Sequence, residues 1–348
     1  MAPMTREMSP NGIPGSDVCD YYARRAAGGV ALIITEGAAT DPIGSFGANV
    51  PRLFGPGAVD AWARIVDAVH AEGAAIIAQL WHVGAFSPSL IGMEDSLPKD
   101  SRRISPSGLA APGMPYGVAM AETDIAATIA GFADAAANAQ AAGFDGIEVH
   151  GAHGYLPDQF LWAKTNHRED RYGGPPENRA RFSAELVAAI RERTGPDFVI
   201  GFRLSQWKQL DYKAKLATDP EALRALISPI SMAGVDLFHC STRRFWEPEF
   251  EGDRRNLAGW VRELTGKPTM TVGSVTLDTD FKAATGKIAA GTSLDHIAQL
   301  TQGIADNHYD MVALGRALLA NSDWANRLAA GELDALTAFD KSMLENLT

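Results

Sequence analysis

The sequence predicts an α/β chain folded as a (β/α)8 TIM barrel, one domain covering residues 1–348. Two observations predict it. Short β-rich runs alternate with longer runs of helical period, and the strand count reaches the eight that a barrel needs. A doubly wound sheet is the weaker alternative, because the first strand is not followed by a Gly-x-Gly-x-x-Gly turn. No linker or internal repeat marks a second domain.

The predicted strands are "APMT" (2–5), "VALIITEG" (30–37), "AAIIAQLWH" (74–82), "GIEVH" (146–150), "FVIGFRLS" (198–205), "VDLFHCS" (235–241), "PTMTVGS" (268–274) and "YDMVALGR" (309–316). Amphipathic stretches separate them. In 58–72, Val59, Trp62, Ile65, Val66 and Val69 keep one apolar face, and 177–195 is similar. Gly73, Gly143 and Gly195 close such stretches as C-caps. The Pro-, Ser- and Gly-rich segment 83–122 reads as a long loop on the catalytic face, after the third strand. The chain enters its first strand at residue 2, so either it is truncated before residue 1 or the barrel's lower end is closed by other means.

Composition narrows the function. With 46% hydrophobic and 21% charged residues the chain can bury a large core, while a net charge of −11 argues against nucleic-acid partners. Two cysteines, Cys19 and Cys240, are too few for a disulfide framework or an iron–sulfur cluster. No membrane span or signal peptide is visible, so a cytoplasmic protein, monomer or homo-oligomer, is expected.

The chemistry concentrates at strand ends. In "EVHGAHGYL" (148–156) the strand 146–150 turns Glu148 and His150 into the barrel, and by the same parity Gln79, Trp81, Arg203 and Ser205 point inward. Barrel interiors are normally filled by branched apolar residues, so Gln79, Trp81, His150 and Arg203 on adjacent inward positions point to a ligand. Singly, each has a bland reading, such as Arg203 serving as an internal partner for Glu148. A metal site on His150 and His153 is the main rival, as in a barrel hydrolase or lyase, but Glu36 is the only strong carboxylate candidate nearby. No strand ends in a Schiff-base lysine. Two imidazoles able to donate to one oxygen, beside the Tyr155 phenol with its pKa of about 10, suit polarising a carbonyl or nitro group and protonating a carbanion. After the last two strands, Gly273, Gly315 and Arg316 offer close backbone approach and a donor fork for a phosphate.

With these residues in place the chain resembles the old yellow enzyme family of FMN-dependent barrel reductases. The resemblance rests on "MAPMTR" (1–6), "ITEG" (34–37), "AQLWHVG" (78–84), "GFDGIEVHGAHGYLPDQFL" (143–161), "REDRYGGPPENRARF" (168–182), "GFRLS" (201–205) and "ALGRALLANSDW" (313–324), in that order. It implies one FMN-binding domain over 1–348. Thr5 would bond the flavin O4 with Pro3 and Met4 beside the ring, Gly37 or Ala38 would touch it through the backbone, and Gln79 would read the pyrimidine edge. Arg203 would face N1 and O2, and Gly273, Ser274, Gly315 and Arg316 would cradle the phosphate. His150 and His153 would bind the activating oxygen of an alkene, and Tyr155 would donate the proton. NADPH or NADH would be the hydride donor, in a ping-pong cycle.

The chain departs from the pattern in its short start, in Pro175 and Pro176, and in its pocket aromatics. Trp81 and Phe46 are the expected walls, with Trp207, Phe245 and Trp246 as replacements for a C-terminal aromatic that is not visible. A flavin-binding protein without turnover is a third reading.

Overall fold

The computed structural model describes residues 1–93, 96, 102–275, 277 and 294–347. Seven parallel strands form one curled sheet in chain order: β1 (Leu32–Ala39), β2 (Ala75–Trp81), β3 (Gly146–His153), β4 (Val199–Lys208), β5 (Leu237–Ser241), β6 (Thr269–Val272) and β7 (Met311–Val312). The second to eighth predicted strands each have a counterpart. Three run further than expected, β1 to Ala39, β3 to His153 and β4 to Lys208, and the last shrinks to two residues.

The first predicted strand does not form. Pro3 has no N–H to give a ladder, and the N–H groups of Arg6 and Glu7 donate to the Glu36 side chain rather than to a neighbouring backbone. What remains is a short contact on both outer strands. The Met1 amine donates to Leu32 O, Ile34 N donates to Met1 O, and Ala2 N donates to Leu314 O at 2.7 Å. Arg6 then reaches the far end of the chain, where one guanidinium nitrogen donates to the carbonyls of Met343, Leu344 and Asn346.

Helices α1 (Ser16–Ala27), α2 (Ala58–Ala71), α3 (Glu122–Ala141), α4 (Leu156–Leu161), α5 (Pro176–Thr194), α6 (Pro220–Met232), α7 (Leu257–Thr265), α8 (Leu294–Ala305), α9 (Arg316–Ala320) and α10 (Trp324–Ala330) alternate with or follow the strands. On α2 the predicted face is the buried one, with Trp62, Ile65, Val66 and Val69 all inside. Gly73, Gly143 and Gly195 take φ values of 81°, 89° and 82°, as chain reversals after α2, α3 and α5 require. Alternation along the strands splits the core in two. Ile76, Ala78, Leu80, Ile147, Val149, Ile200, Phe202 and Leu204 pack outward under the helices, whereas Ala2, Ile34, Ile77, Leu237, Met270 and Ala313 form a separate inner cluster.

Within 83–122 the chain is more ordered than a plain loop. A 3-10 turn at Pro88–Ile91, a parallel pair (Ile104–Ser105 with Val118–Ala119) and an antiparallel pair (Leu109–Ala111 with Met114–Pro115) occupy it; residues 94–95 and 97–101 of that segment lie outside the described residues. Among the described residues no helix is long and apolar enough to cross a membrane.

Candidate active site

Above the inner apolar cluster the sheet turns polar. The register sets Gln79 beside Glu148, and His150, Arg203 and His239 beside one another on three successive strands. Gln79 Nε2 donates to Glu148 Oε1 at 2.7 Å, and His239 Nδ1 lies 2.7 Å from Glu148 Oε2. Burial alone would raise the Glu148 carboxyl, but His239, Arg203 and Gln79 together outweigh it and hold the group below the usual carboxylate range.

Arg203 is left over from this network. Its charge and that of Glu148 act on each other, but without direct contact: the Glu148 oxygens go to Gln79 and His239, and among the described residues no ion-pair contact reaches Arg203. Its Nε is buried without a hydrogen bond, as are His150 Nδ1 and Trp81 Nε1. Buried polar atoms are nearly always paired in a finished site, so three orphans converging at one end of the sheet are the signature of a missing polar ligand.

His150 and His153 come together in a way the strand extension explains. β3 carries on through both, and His153 takes a left-handed φ of 66° after a break in register with β4. This turns its ring edge-on to His150, with Nδ1 of His153 3.4 Å from Nε2 of His150 and the ring centroids 5.0 Å apart. Nε2 of His153 lies 2.8 Å from Ser241 Oγ at the end of β5. Burial, followed by the positive charge of Arg203, pushes both imidazoles well below their ordinary pKa, so both are neutral. Among the described residues no third His, Cys, Asp or Glu gathers with them into a metal-ligating set; Glu36, the one carboxylate candidate, spends an oxygen on the Arg6 and Glu7 backbone instead.

Tyr155 follows two residues on, its ring edge-on to His150 (4.8 Å), Trp81 (5.0 Å) and Phe86 (5.3 Å). Burial raises its phenol above the ordinary value, partly offset by Arg203 and a hydrogen bond from Gln209. The walls are aromatic. Phe46 stacks on Trp81 at 5.0 Å, and Trp207 lies against His153 at 4.3 Å. Trp246 makes its ring contacts elsewhere, stacking on His296 of α8 at 4.2 Å and packing on Phe245.

The remaining predicted residues line the same end of the sheet. Gly37 sits so close to Trp81 that a Cβ would lie 2.5 Å from its ring, and Gly37 pairs with Gln79 across the β1–β2 register. Ala38, next to it, is fully buried toward the helices and offers only its backbone inward. Pro3 and Met4 are half-buried and Thr5 is exposed. A Cβ on Gly315 would meet the Met4 sulfur at 3.3 Å, so this start of the chain runs beside the turn that leads into Arg316. Gly273 and Ser274 end β6 with φ of 157° and 48°, and a Cβ on Gly273 would strike Thr242 O at 2.5 Å. The sequence reading missed His239 and Ser241 as site members, although the parity that places Arg203 inward places them inward too.

The sequence profile of the NADH:flavin oxidoreductase / NADH oxidase family matches residues 1–334. A 12-oxophytodienoate reductase 1 of Oryza sativa subsp. japonica is 33% identical over 347 residues, covering 98% of this chain and 84% of its own. A morphinone reductase in complex with tetrahydroNAD superposes with a TM-score of 0.80 at 29% identity, over 99% of this chain and 89% of its own. An old yellow enzyme homologue from Zymomonas mobilis does so with 0.78 at 26% identity, over 99% and 91%.

Proposed function

Because the chain belongs to the NADH:flavin oxidoreductase / NADH oxidase family, that of the old yellow enzymes, we propose that it is an FMN-dependent reductase of alkenes conjugated to a carbonyl or nitro group, with NADH or NADPH as hydride donor. The observation that carries this reading is the pair of neutral imidazoles edge-on to each other beside a buried phenol, under aromatic walls. The names of the relatives, reductases of oxophytodienoate and morphinone, support an oxo-substituted substrate.

The residues present fit a flavin. Arg203 would supply a cation to its pyrimidine edge and Gln79 would read that edge, which would answer the unpaired Arg203 Nε. Pro3, Met4, Thr5 and the backbone of Gly37 and Ala38 would border the ring, and Gly273, Ser274, Gly315 and Arg316 would hold the phosphate. FMN, when bound, would supply the hydride chemistry that links a nicotinamide to the β carbon of the alkene. We read the whole chain, 1–348, as one barrel domain closed through residues 1–2.

The protein's own part is to hold an oxygen and to give a proton. Two ring nitrogens 3.4 Å apart are spaced so that one oxygen can accept from both. A Ser241 hydroxyl donating to His153 Nε2 leaves Nδ1 carrying the proton, which makes it a donor toward that oxygen. Drawing electron density onto the oxygen activates the β carbon, and the Tyr155 hydroxyl then protonates the α carbon. Phe46, Trp81 and Trp207 exclude water around the reacting atoms and strengthen these charges.

The test is the visible spectrum of the purified protein, followed without oxygen on adding NADH or NADPH and then 2-cyclohexenone. Flavin bands that bleach with the nicotinamide and return with the enone are expected. A protein that stays colourless after incubation with FMN would overturn the proposal.

A further inference from the structure

Beneath the His153–Tyr155 turn lies a pair of charges that the proposed reaction does not use. Lys208, at the end of β4, and Asp158, in the first turn of α4, have side-chain exposures of 1% and 0%, with Nζ donating to Oδ1 at 2.7 Å. An ammonium and a carboxylate taken wholly out of water are costly unless every proton and lone pair is committed. Here they are. Nζ also donates to Ser205 O at 3.2 Å and lies over the Trp162 ring, and the second carboxylate oxygen, Oδ2, accepts from Gly154 N at 2.6 Å.

That last bond gives the pair its reach. Gly154 is the residue between His153 and Tyr155, and 153 and 154 are both left-handed, with φ of 66° and 87°. The turn is clamped from every side: Ser205 Oγ accepts from His153 N, Gln209 N donates to His153 O, Asp158 takes Gly154 N, and Gln159 Nε2 donates to Gly154 O. Two of these four clamps, Ser205 and Asp158, are themselves tied together by Lys208. A buried pair serving stability alone can often be replaced by well-packed apolar side chains of like volume without loss.

We propose that the buried Asp158–Lys208 pair is a positioning device, which sets the His153–Gly154–Tyr155 turn so that the imidazole and the phenol face the same substrate. The proposal rests on the reading of Tyr155 as proton donor. Neither residue touches the substrate; both act through the turn.

The experiment compares the holoenzyme with the double variant Asp158→Leu/Lys208→Met, with Asp158→Asn and with Tyr155→Phe. Thermal midpoint, anaerobic flavin reduction by NADH or NADPH, reoxidation by 2-cyclohexenone and the dissociation constant of p-chlorophenol are measured. The double variant is expected to melt within a few degrees of the parent and to accept hydride within about two-fold of its rate. It should reoxidise at least ten-fold more slowly and bind the phenol at least five-fold more weakly. Asp158→Asn keeps an acceptor for Gly154 N and is expected to lie between; if the double variant does not fold, this variant carries the comparison. Equal losses in both half-reactions, or none in reoxidation, would overturn the proposal. Should Tyr155→Phe itself reoxidise at the parental rate, it is the proton-donor reading that fails, and with it the premise.

Discussion

Glu36 offers a test of the site's floor that needs no substrate. Its side chain is buried behind the start of the chain, where Oε2 accepts from Arg6 N at 2.9 Å and Glu7 N at 3.1 Å. Burial pushes its carboxyl up from 4.5 to about 7, against the pull of those two N–H groups and of the Arg6 charge. Between these values the folded protein holds a proton that the unfolded chain has released. The contribution is therefore fully present below pH 4.5 and is lost as pH rises through 7. A gap of about 2.5 pH units at ~1.4 kcal/mol per unit amounts to ~3 kcal/mol. Glu36→Gln keeps a carbonyl for the two N–H groups and cannot ionise. Urea unfolding of parent and variant at pH 5, 6, 7 and 8, with the same added FMN, isolates this group, because every other titration cancels in the difference. The two are expected to agree within ~1 kcal/mol at pH 5, with the variant gaining ~2–3 kcal/mol on the parent by pH 8. Parallel profiles, or a variant that loses ground as pH rises, would refute the reasoning.

Tyr155→Phe is expected to slow alkene reduction by ~10²–10⁴ while leaving flavin reduction by NADH or NADPH nearly intact, as read by stopped-flow absorbance; equal losses would remove it as proton donor. Since burial lifts its phenol above the ordinary value of 10, the alkene half-reaction should show no Tyr155-linked fall with rising pH up to 10, and a midpoint below 9 would count against the assignment. Replacing both His150 and His153 by Ala should weaken phenol and enone ligands by ten- to a hundred-fold, ~1–3 kcal/mol, measured by spectral titration. Trp62→Ala, which empties a fully buried site beside Phe144, should cost ~3–5 kcal/mol in chemical denaturation with the flavin chemistry unchanged.

Much of this site is legible in the sequence because strands write their geometry in a period of two. Once 146–150 is read as a strand, the inward direction of Glu148 and His150 follows, and the same step places Gln79, Trp81 and Arg203; the two separate core clusters bear out that alternation. Distances across the fold are not written that way. The Glu148–His239 bond joins residues 91 positions apart and the Asp158–Lys208 bridge residues 50 apart, and neither pair has a local pattern to announce it. The same limit explains the first strand. Where the N–H groups that follow "APMT" go is decided by Glu36, some thirty residues away. The stacking of Trp246 on His296, fifty positions on, is equally unannounced by any local pattern.

The reach of Arg6 to the carbonyls of Met343, Leu344 and Asn346 makes the tail of the chain a wall of the room at its start. Clipping the protein ahead of Met343 would strip a buried guanidinium of three acceptors, one residue from Thr5 and two from Met4. Loss of the last few residues, by proteolysis or by design, would therefore lower the melting point and loosen the segment proposed to border the flavin ring.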